Sequence, residues 1–341
     1  MKAVYFLGDK KLEVREQQMP QLKADEMMIR IAACGVCGTD IHIISGDSGP
    51  AAVNPPVVLG HEYAGEVEQV GAQVTAFKKG DHVAVDPNIY CGTCHYCKNG
   101  KKQLCEDMKA FGVTRDGGFA EYCIIPMSQA YLLNPDLDIE AGAMAEPLAC
   151  CIHGIDLAGI KVGDNVLIIG GGAIGLLMVQ LAKLSGAAHV ILSEPVEMRR
   201  KTALELGADG AFDPLSCIPA EQLKALTGRE FADVIIECAG NNFAVKNAFD
   251  CAAKGATILL FSVPVQDAVY DMPLFDIFKK ELTIKGSFVN PDTHARAVEL
   301  INTGKVNVAP IITHRFGIND LEKAIKCQKS TESIKCILKL I

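Results

Sequence analysis

Short apolar runs separated by turn residues occupy the first 145 residues of the chain. Residues 27–32 and 80–85 are examples of these runs, and turn residues stand at 54–56 and 116–118. Runs of this length bounded by glycine, proline and asparagine or aspartate are typical of strands joined by tight turns. The pattern predicts an irregular, mostly antiparallel β-domain.

From about Pro147 the pattern changes to uniformly apolar strands that alternate with helices. The predicted segments are a strand at 166–169, a helix at 173–185, a strand at 190–192, a helix at 199–206, and strands at 234–236 and 257–261. Such strands are typical of a parallel sheet covered by helices on both faces. After about Ser287 the sequence predicts a helix at 291–303 and then short strands to the C-terminus.

Length, composition and charge indicate a folded protein of two domains and disfavour binding to nucleic acid or to a membrane. The chain has 341 residues, which at about 150 residues per domain predicts two domains. Apolar residues at 49% and charged residues at 22% exclude disorder, and the net charge of −8 disfavours nucleic acid and membrane surfaces as partners. The longest apolar run, 166–179, is shorter than the roughly 20 residues of a membrane span, and the N-terminus lacks a signal-peptide pattern. We therefore expect a cytoplasmic protein.

Cysteine is the unusual component, with 14 residues. Disulfides rarely persist in the cytoplasm, so closely spaced cysteines indicate metal binding or catalysis. Cys91, Cys94, Cys97 and Cys105 have the spacing C-x2-C-x2-C-x7-C, in which four thiolates can close a tetrahedral shell around Zn²⁺. We predict a structural zinc site, with an iron–sulfur cluster or disulfides as the alternatives.

A glycine-rich loop follows the first strand of the second half. Its residues are Gly170, Gly172, Ala173, Ile174 and Gly175, which fit G-x-G-x-x-G. Glu194 follows at the end of the next predicted strand, which completes the context of a dinucleotide-binding fingerprint. Glu194 should accept hydrogen bonds from the adenosine ribose and repel a 2′-phosphate, which favours NAD over NADP. The alternatives are a glycine-rich turn beside a solvated Glu194, and a basic run from Arg199 that meets a 2′-phosphate.

A second set of candidate metal ligands is dispersed along the chain: Cys37, His61, Glu62 and Glu146. Each of these residues has an ordinary interpretation, since a single cysteine is usually a small core residue and Gly-His-Glu is usually a turn. Spacing alone leaves this set open.

Five motifs in order make essentially the whole chain resemble the zinc-dependent medium-chain dehydrogenase/reductase family, and most of all its polyol branch, the sorbitol (L-iditol) and butanediol dehydrogenases. The motifs are Cys-Gly-Thr-Asp-Ile-His at 37–42, Gly-His-Glu at 60–62, the four cysteines, Glu-Pro-Leu at 146–148 and the glycine loop. The resemblance implies a mostly-β GroES-like catalytic domain formed by residues 1–147 and 288–341, with a structural zinc lobe at about 88–108. An α/β Rossmann domain, residues 148–287, is inserted between its two parts.

The resemblance also implies a catalytic zinc bound by Cys37 and His61. Glu146 stands where simple alcohol dehydrogenases have a second cysteine, and the Glu62 position often binds zinc in the polyol branch. We expect both carboxylates to bind zinc directly or to exchange with water.

The proton path and the cofactor contacts follow from the same resemblance. Thr39 would accept the proton of the substrate hydroxyl and pass it through the nicotinamide ribose to His42, while Asp40 would orient His61. Arg199, Val263, Ser287 and Val289 are further candidate cofactor-binding residues. The implied cofactors are two Zn²⁺ per chain, one catalytic and one structural, and NAD, and the implied assembly is a homodimer or homotetramer.

The expected reaction is oxidation of a secondary alcohol of a polyol or diol to a ketone by NAD. Ile43 and Val289 stand where sorbitol dehydrogenases have an aromatic residue and an arginine, which weakens an assignment to sorbitol itself. Threonine dehydrogenases usually have Asp-Pro where this chain has Glu146-Pro147. A threonine-type 3-dehydrogenase and a general secondary alcohol dehydrogenase are the alternatives, and a nucleotide-binding module without turnover or a metallo-lyase or hydrolase fits the motifs less well.

The histidines and cysteines outside these motifs are interpreted as structural or packing residues. They are His82, His95, His153, His189, His294, His314, Cys34, Cys123, Cys150, Cys151, Cys217, Cys238, Cys251, Cys327 and Cys336.

Overall fold

The computed structural model describes residues 1–46, 52–264 and 266–341. The chain divides into two compact units. The first consists of Met1–Ala149 and Asn290–Ile341, and the second of Cys150–Val289. Both ends of the chain therefore belong to the first unit.

The strands follow one another along the described residues. They are β1 (Lys2–Phe6), β2 (Leu12–Glu16), β3 (Glu26–Gly35), β4 (Val57–Val58), β5 (Glu62–Val70), β6 (His82–Val85), β7 (Asn88–Ile89), β8 (Lys109–Ala110), β9 (Tyr122–Pro126), β10 (Ala130–Leu132), β11 (Asn165–Ile169), β12 (His189–Ser193), β13 (Gly210–Phe212), β14 (Ala232–Glu237), β15 (Ala252–Leu260), β16 (Thr283–Gly286), β17 (Ile312–Phe316) and β18 (Lys335–Lys339).

The helices lie mostly in the second half of the chain. The α-helices are α1 (Gly38–Ser45), α2 (His95–Lys98), α3 (Ala145–Ala158), α4 (Ala173–Leu184), α5 (Glu197–Glu205), α6 (Pro219–Thr227), α7 (Asn242–Asp250), α8 (Leu274–Lys280), α9 (His294–Asn302) and α10 (Leu321–Gln328). Short 3-10 helices cover Lys102–Leu104, Met127–Gln129, Ile139–Met144, Ala309–Ile311 and Ile318–Asp320.

The main sheet of the first unit joins the two ends of the chain. Its strands lie in the order β10-β6-β5-β3-β18-β17, and β9 also pairs with β3. β3 pairs antiparallel with both β5 and β18, so Gly35 lies between Glu62 on one side and Ile337 on the other. The buried core of the unit includes Tyr63 and Phe119 among its largest side chains. This register sets the positions of the residues that begin β5 and end β3.

The sheet of the second unit is parallel throughout, as predicted. Its order is β13-β12-β11-β14-β15-β16, and every residue of β11 is buried. This is the dinucleotide-binding order, in which chain progression reverses beside the first strand. Because parallel crossovers are right-handed, the reversal places the connecting helices on opposite faces of the sheet.

The sequence interpretation missed helices of the first unit, among them α1 and α10. The region after residue 304 was expected to contain only short strands, but α10 lies between β17 and β18. Leu321, Ala324 and Ile325 are its buried residues, at the i, i+3, i+4 spacing of an amphipathic helix, so the signal was present. The short α1 likewise interrupts the predicted β-domain. Across the described ranges, no helix combines the length and apolar character needed to cross a membrane.

Candidate active site and metal centres

The four closely spaced cysteines converge at α2. The ligand atoms of Cys91, Cys94, Cys97 and Cys105 all lie within 4.8 Å of one another. Backbone N–H groups point at the sulfurs: the Cys94 amide donates to Cys91 Sγ at 3.3 Å, and the Cys91 amide donates to Cys105 Sγ at 3.3 Å. All 14 cysteines are described, and each is a free thiol. The four cysteines of this lobe therefore form no disulfide bonds, which was one of the alternatives considered from sequence.

Hydrogen bonds from backbone N–H groups favour the thiolate form of a cysteine in this lobe, which is the form that binds a cation. The amides of Thr93 and Cys94 lower the pKa of Cys91 to about 6, because they stabilise the thiolate. Burial raises the pKa of Cys97 to about 12, and a bound cation removes such a proton outright. A thiolate set closed on all four sides fits a structural Zn²⁺.

The dispersed ligand set is brought together by the pairing of β3 with β5. Cys37 caps the N-terminus of α1 just after β3, and His61 and Glu62 stand at the start of β5. The ligand atoms of these three residues lie within 4.8 Å of one another. Thiolate, imidazole and carboxylate are all donors that Zn²⁺ takes, and three protein ligands leave one position open. The donor chemistry therefore fits a catalytic zinc.

Asp40 lies behind this set, fully buried. Its Oδ2 accepts from the Cys37 amide at 2.9 Å, and its Oδ1 accepts from the Gly60 amide at 3.2 Å, so it ties α1 to the segment before β5. His61 Nδ1 lies 3.5 Å from Asp40 Oδ1, an electrostatic contact longer than a good hydrogen bond. Burial alone would lower the pKa of His61, but facing Asp40 and Cys37 raises it well above its usual range. The contact leaves Nε2 as the nitrogen for a metal.

Glu146 is not a member of the compact set. It is buried in the first turn of α3, yet it does not belong to the group within 4.8 Å that Cys37, His61 and Glu62 form. Of the two predicted carboxylate ligands, only Glu62 is thus brought into that group.

Thr39 and His42 are both half-buried on α1. Residues three apart on a helix share a face, so the two side chains lie on one side of α1. The adjacent Asp40 is buried on another side. This placement suits a proton path along one helix face.

Lys335 is a residue of this site that sequence reasoning missed. Its Nζ lies 2.5 Å from Glu62 Oε2, as an ion-pair contact rather than an aligned hydrogen bond, and donates to Val36 O at 3.2 Å. Lys335 and Glu62 are only 4% and 1% exposed. Burial alone would lower the pKa of Lys335, but Glu62 and Cys37 hold it above its usual range. A lysine inside the apolar run of β18 was the available signal.

The predicted glycine loop connects β11 to α4 in the second unit. Gly170 has φ +99°, and a Cβ on Gly175 would lie 1.8 Å from Gly170 O, so both positions need glycine. Gly172 caps α4, and a Cβ there would meet only open space. The first N–H groups of a helix have no partner within it, so the start of α4 fits a pyrophosphate.

Glu194 follows β12 and reaches this loop. Its Oε2 accepts from the Gly171 amide at 2.6 Å, and its Oε1 accepts from the Val196 amide at 2.8 Å. A carboxylate has about four lone-pair positions, so it can still accept from ribose hydroxyls. The carboxylate is buried and fixed, which rules out the solvated residue considered from sequence.

The remaining cofactor candidates lie at the ends of β15 and β16 and in α5. Val263 is 58% exposed after β15, and Ser287 follows β16. Val289 has φ +48°, a conformation that costs a β-branched residue energy and that often marks functional sites. Arg199 lies on α5, just beyond Glu194. All four residues therefore belong to the second unit.

Comparisons with known proteins agree with this geometry. Residues 23–136 match the alcohol dehydrogenase GroES-like domain, and residues 173–303 match the zinc-binding dehydrogenase domain. An L-threonine 3-dehydrogenase of Bacillus licheniformis is 34% identical over 323 residues, which cover 94% of this chain and 93% of that protein. A sorbitol dehydrogenase of Halalkalibacterium halodurans is 36% identical, covering 95% and 94%.

A solved structure extends the comparison to three dimensions. A protein of Sinorhizobium meliloti assigned as a zinc-binding dehydrogenase, bound to NADP, superposes with a TM-score of 0.94 at 39% identity. The match covers 99% of this chain and 98% of the other. The predicted fold class, a parallel Rossmann-type domain with a GroES-like domain, is confirmed.

Replacing Lys335 tests the buried ion pair. We expect Lys335→Met to lower the free energy of unfolding by about 3–5 kcal/mol, because it leaves the Glu62 carboxylate buried without its cation. The measurement is chemical denaturation of the zinc-free protein, in which no bound ion compensates the Glu62 carboxylate. The control is Lys339→Met on the same strand, an exposed partner of Glu140 that should cost about 1 kcal/mol or less. Equal losses in the two variants would contradict the role of Lys335.

Proposed function

The chain belongs to the zinc-dependent medium-chain dehydrogenase family, and we propose that it oxidises a secondary alcohol of a polyol or diol to a ketone with NAD as acceptor. The observation that carries the proposal is the set formed by Cys37, His61 and Glu62, whose ligand atoms lie within 4.8 Å of one another. Three donors of these types leave one coordination position for a substrate hydroxyl.

The side chains of the site have separate roles in binding the metal, transferring the proton and positioning the ligands. Bound in this set, Zn²⁺ would supply polarisation of the alcohol oxygen, and NAD would supply the hydride acceptor. Thr39 takes the hydroxyl proton at its Oγ1, and His42 on the same face of α1 delivers it to solvent. Asp40 fixes the backbone of Cys37 and orients His61. Glu146, which lies outside the compact set, acts through water.

The choice of NAD rests on Glu194. Its fixed carboxylate would repel a 2′-phosphate and accept from ribose hydroxyls. Two neighbouring basic residues already have protein partners: Arg200 donates to the backbone oxygens of Glu194 and Pro195, and Lys201 pairs with Glu197 at 2.7 Å. Because the structure of the Sinorhizobium relative contains NADP, each activity assay should be run with NAD and with NADP.

A threonine-type 3-dehydrogenase is the second candidate. It is favoured by the names of curated relatives that match at 32–34% identity over nearly the whole chain. Glu146 distinguishes the two candidates, since the resemblance associates Asp-Pro at this place with threonine dehydrogenases.

The decisive test of function is turnover. Zinc-replete protein should reduce NAD with a polyol or with 2,3-butanediol, as measured by absorbance of the reduced nicotinamide. Parallel assays contain L-threonine, and each substrate is tested with NAD and NADP. Turnover of threonine alone would establish the second candidate, and no turnover with any secondary alcohol would contradict both.

Glu194→Ala tests the cofactor assignment. Loss of hydrogen bonds to a charged group costs about 1.5–3 kcal/mol, so the ratio of kcat/KM for NAD over NADP should fall roughly 10- to 100-fold. The matched control is Glu205→Ala, an exposed glutamate at the end of the following helix that should leave the ratio unchanged. A wild-type preference for NADP would contradict the assignment.

We also propose that the protein is a homodimer or homotetramer. In the second unit, α8 exposes Leu274, Phe275 and Phe278 at 73%, 69% and 79%. Contiguous exposed apolar side chains of this size are typical of subunit interfaces.

A double substitution on α8 tests this surface. Phe275→Asp with Phe278→Asp should lower the mass measured by sedimentation, because charges at an apolar interface lose their hydration. Leu215→Asp, at a side chain 71% exposed elsewhere in the same unit, is the control. A monomeric wild-type protein would contradict the proposal.

A further inference from the structure

A third cluster of metal-binding side chains lies in the first unit and shares no residue with the two sets above. It consists of His314 on β17, Cys327 on α10 and Cys336 on β18. Both Sγ atoms and one imidazole nitrogen lie within 4.8 Å of one another. Sequence reasoning had assigned all three residues to packing.

Strand register creates half of the cluster. β17 and β18 run parallel, and His314 and Cys336 are directly paired in them. Directly paired residues of neighbouring strands project to the same face of a sheet. Lys335 directly precedes Cys336 on β18 and therefore points to the opposite face, toward Glu62. The cluster and the catalytic set thus occupy different faces of this strand.

A side-chain bridge fixes the helix that carries the third member. Gln328 follows Cys327 at the end of α10, and its Oε1 accepts from the Cys336 amide at 2.6 Å. Its Nε2 donates to Ile334 O at 3.1 Å. The end of α10 is therefore tied to the start of β18, and Cys327 is held beside Cys336 before any ion binds.

We propose that His314, Cys327 and Cys336 bind one Zn²⁺. Two thiolates and a neutral imidazole balance the charge of the ion and form three corners of a tetrahedron, with water at the fourth. His314 Nδ1 lies 3.0 Å from Thr313 Oγ1, and a hydrogen bond there leaves Nε2 as the ring nitrogen for the metal.

The exposure of the three residues suits an ion that enters from solvent. Cys336 is fully buried, whereas His314 and Cys327 are half-buried at the edge of the core. A disulfide would need only the two thiols, and the imidazole at the same range is the donor that favours a metal. A bound ion would join α10 to both β17 and β18, so it should stabilise the C-terminal segment.

Metal stoichiometry tests the proposal on the full chain. Wild-type protein and variants are equilibrated with excess ZnCl₂ under reducing conditions, freed of loose ions by gel filtration, and analysed for zinc per chain by mass spectrometry. Cys327→Ala and His314→Ala should each hold one zinc per chain fewer than wild type. Their matched controls are Cys217→Ala and His189→Ala, which replace half-buried residues of the second unit outside all three sets.

A second measurement uses Co²⁺ as the probe. Wild-type protein loaded with Co²⁺ should lose part of its thiolate-to-cobalt charge-transfer absorption in Cys327→Ala and none in Cys217→Ala. Zinc content and cobalt spectra that are the same in Cys327→Ala and wild type would overturn the proposal. Both readouts are differences between variants and do not depend on dehydrogenase turnover, so a failure here is distinct from a failure of the proposed function.

Discussion

The site in the first unit depends on compensation of buried charge. The acidic groups of Cys37, Asp40 and Glu62 lie together beside β3, and the two carboxylates are buried. An unpaired buried charge costs several kcal/mol, so such a group is stable only if cations face it. Lys335 supplies one cation from the last strand of the chain, and a metal bound by Cys37, His61 and Glu62 would supply the other. The C-terminal strand is thus part of the site's electrostatics.

The second unit depends on close approach of the backbone at the start of α4 to the backbone at the end of β11. Gly175 packs against Gly170 O with no room for a Cβ, and this contact holds the start of α4 against the end of β11. The carboxylate of Glu194 then ties the same loop to the adjacent strand through the Gly171 amide. The glycine loop and the end of β12 are therefore held together at the proposed cofactor site.

Much of this was predictable from sequence wherever the chemistry is local. The four cysteines span 15 residues and converge as their spacing indicated, and the glycine loop forms the predicted strand-to-helix turn. The predicted helix at 291–303 is observed at His294–Asn302. Sequence reasoning missed α10 despite its periodic Leu321, Ala324 and Ile325, because the segment was interpreted only as strands.

The sequence by itself determined most of the elements, the glycine loop and the set of four closely spaced cysteines, because each of these depends on residue types at short, fixed spacing. The dispersed zinc ligands were indicated only by the resemblance to a known family. Only the tertiary structure decided that Lys335 faces Glu62 and that His314, Cys327 and Cys336 meet. Those outcomes depend on the register of β18 between β3 and β17. Strand register is set by packing across distant parts of the chain, and no local spacing encodes it.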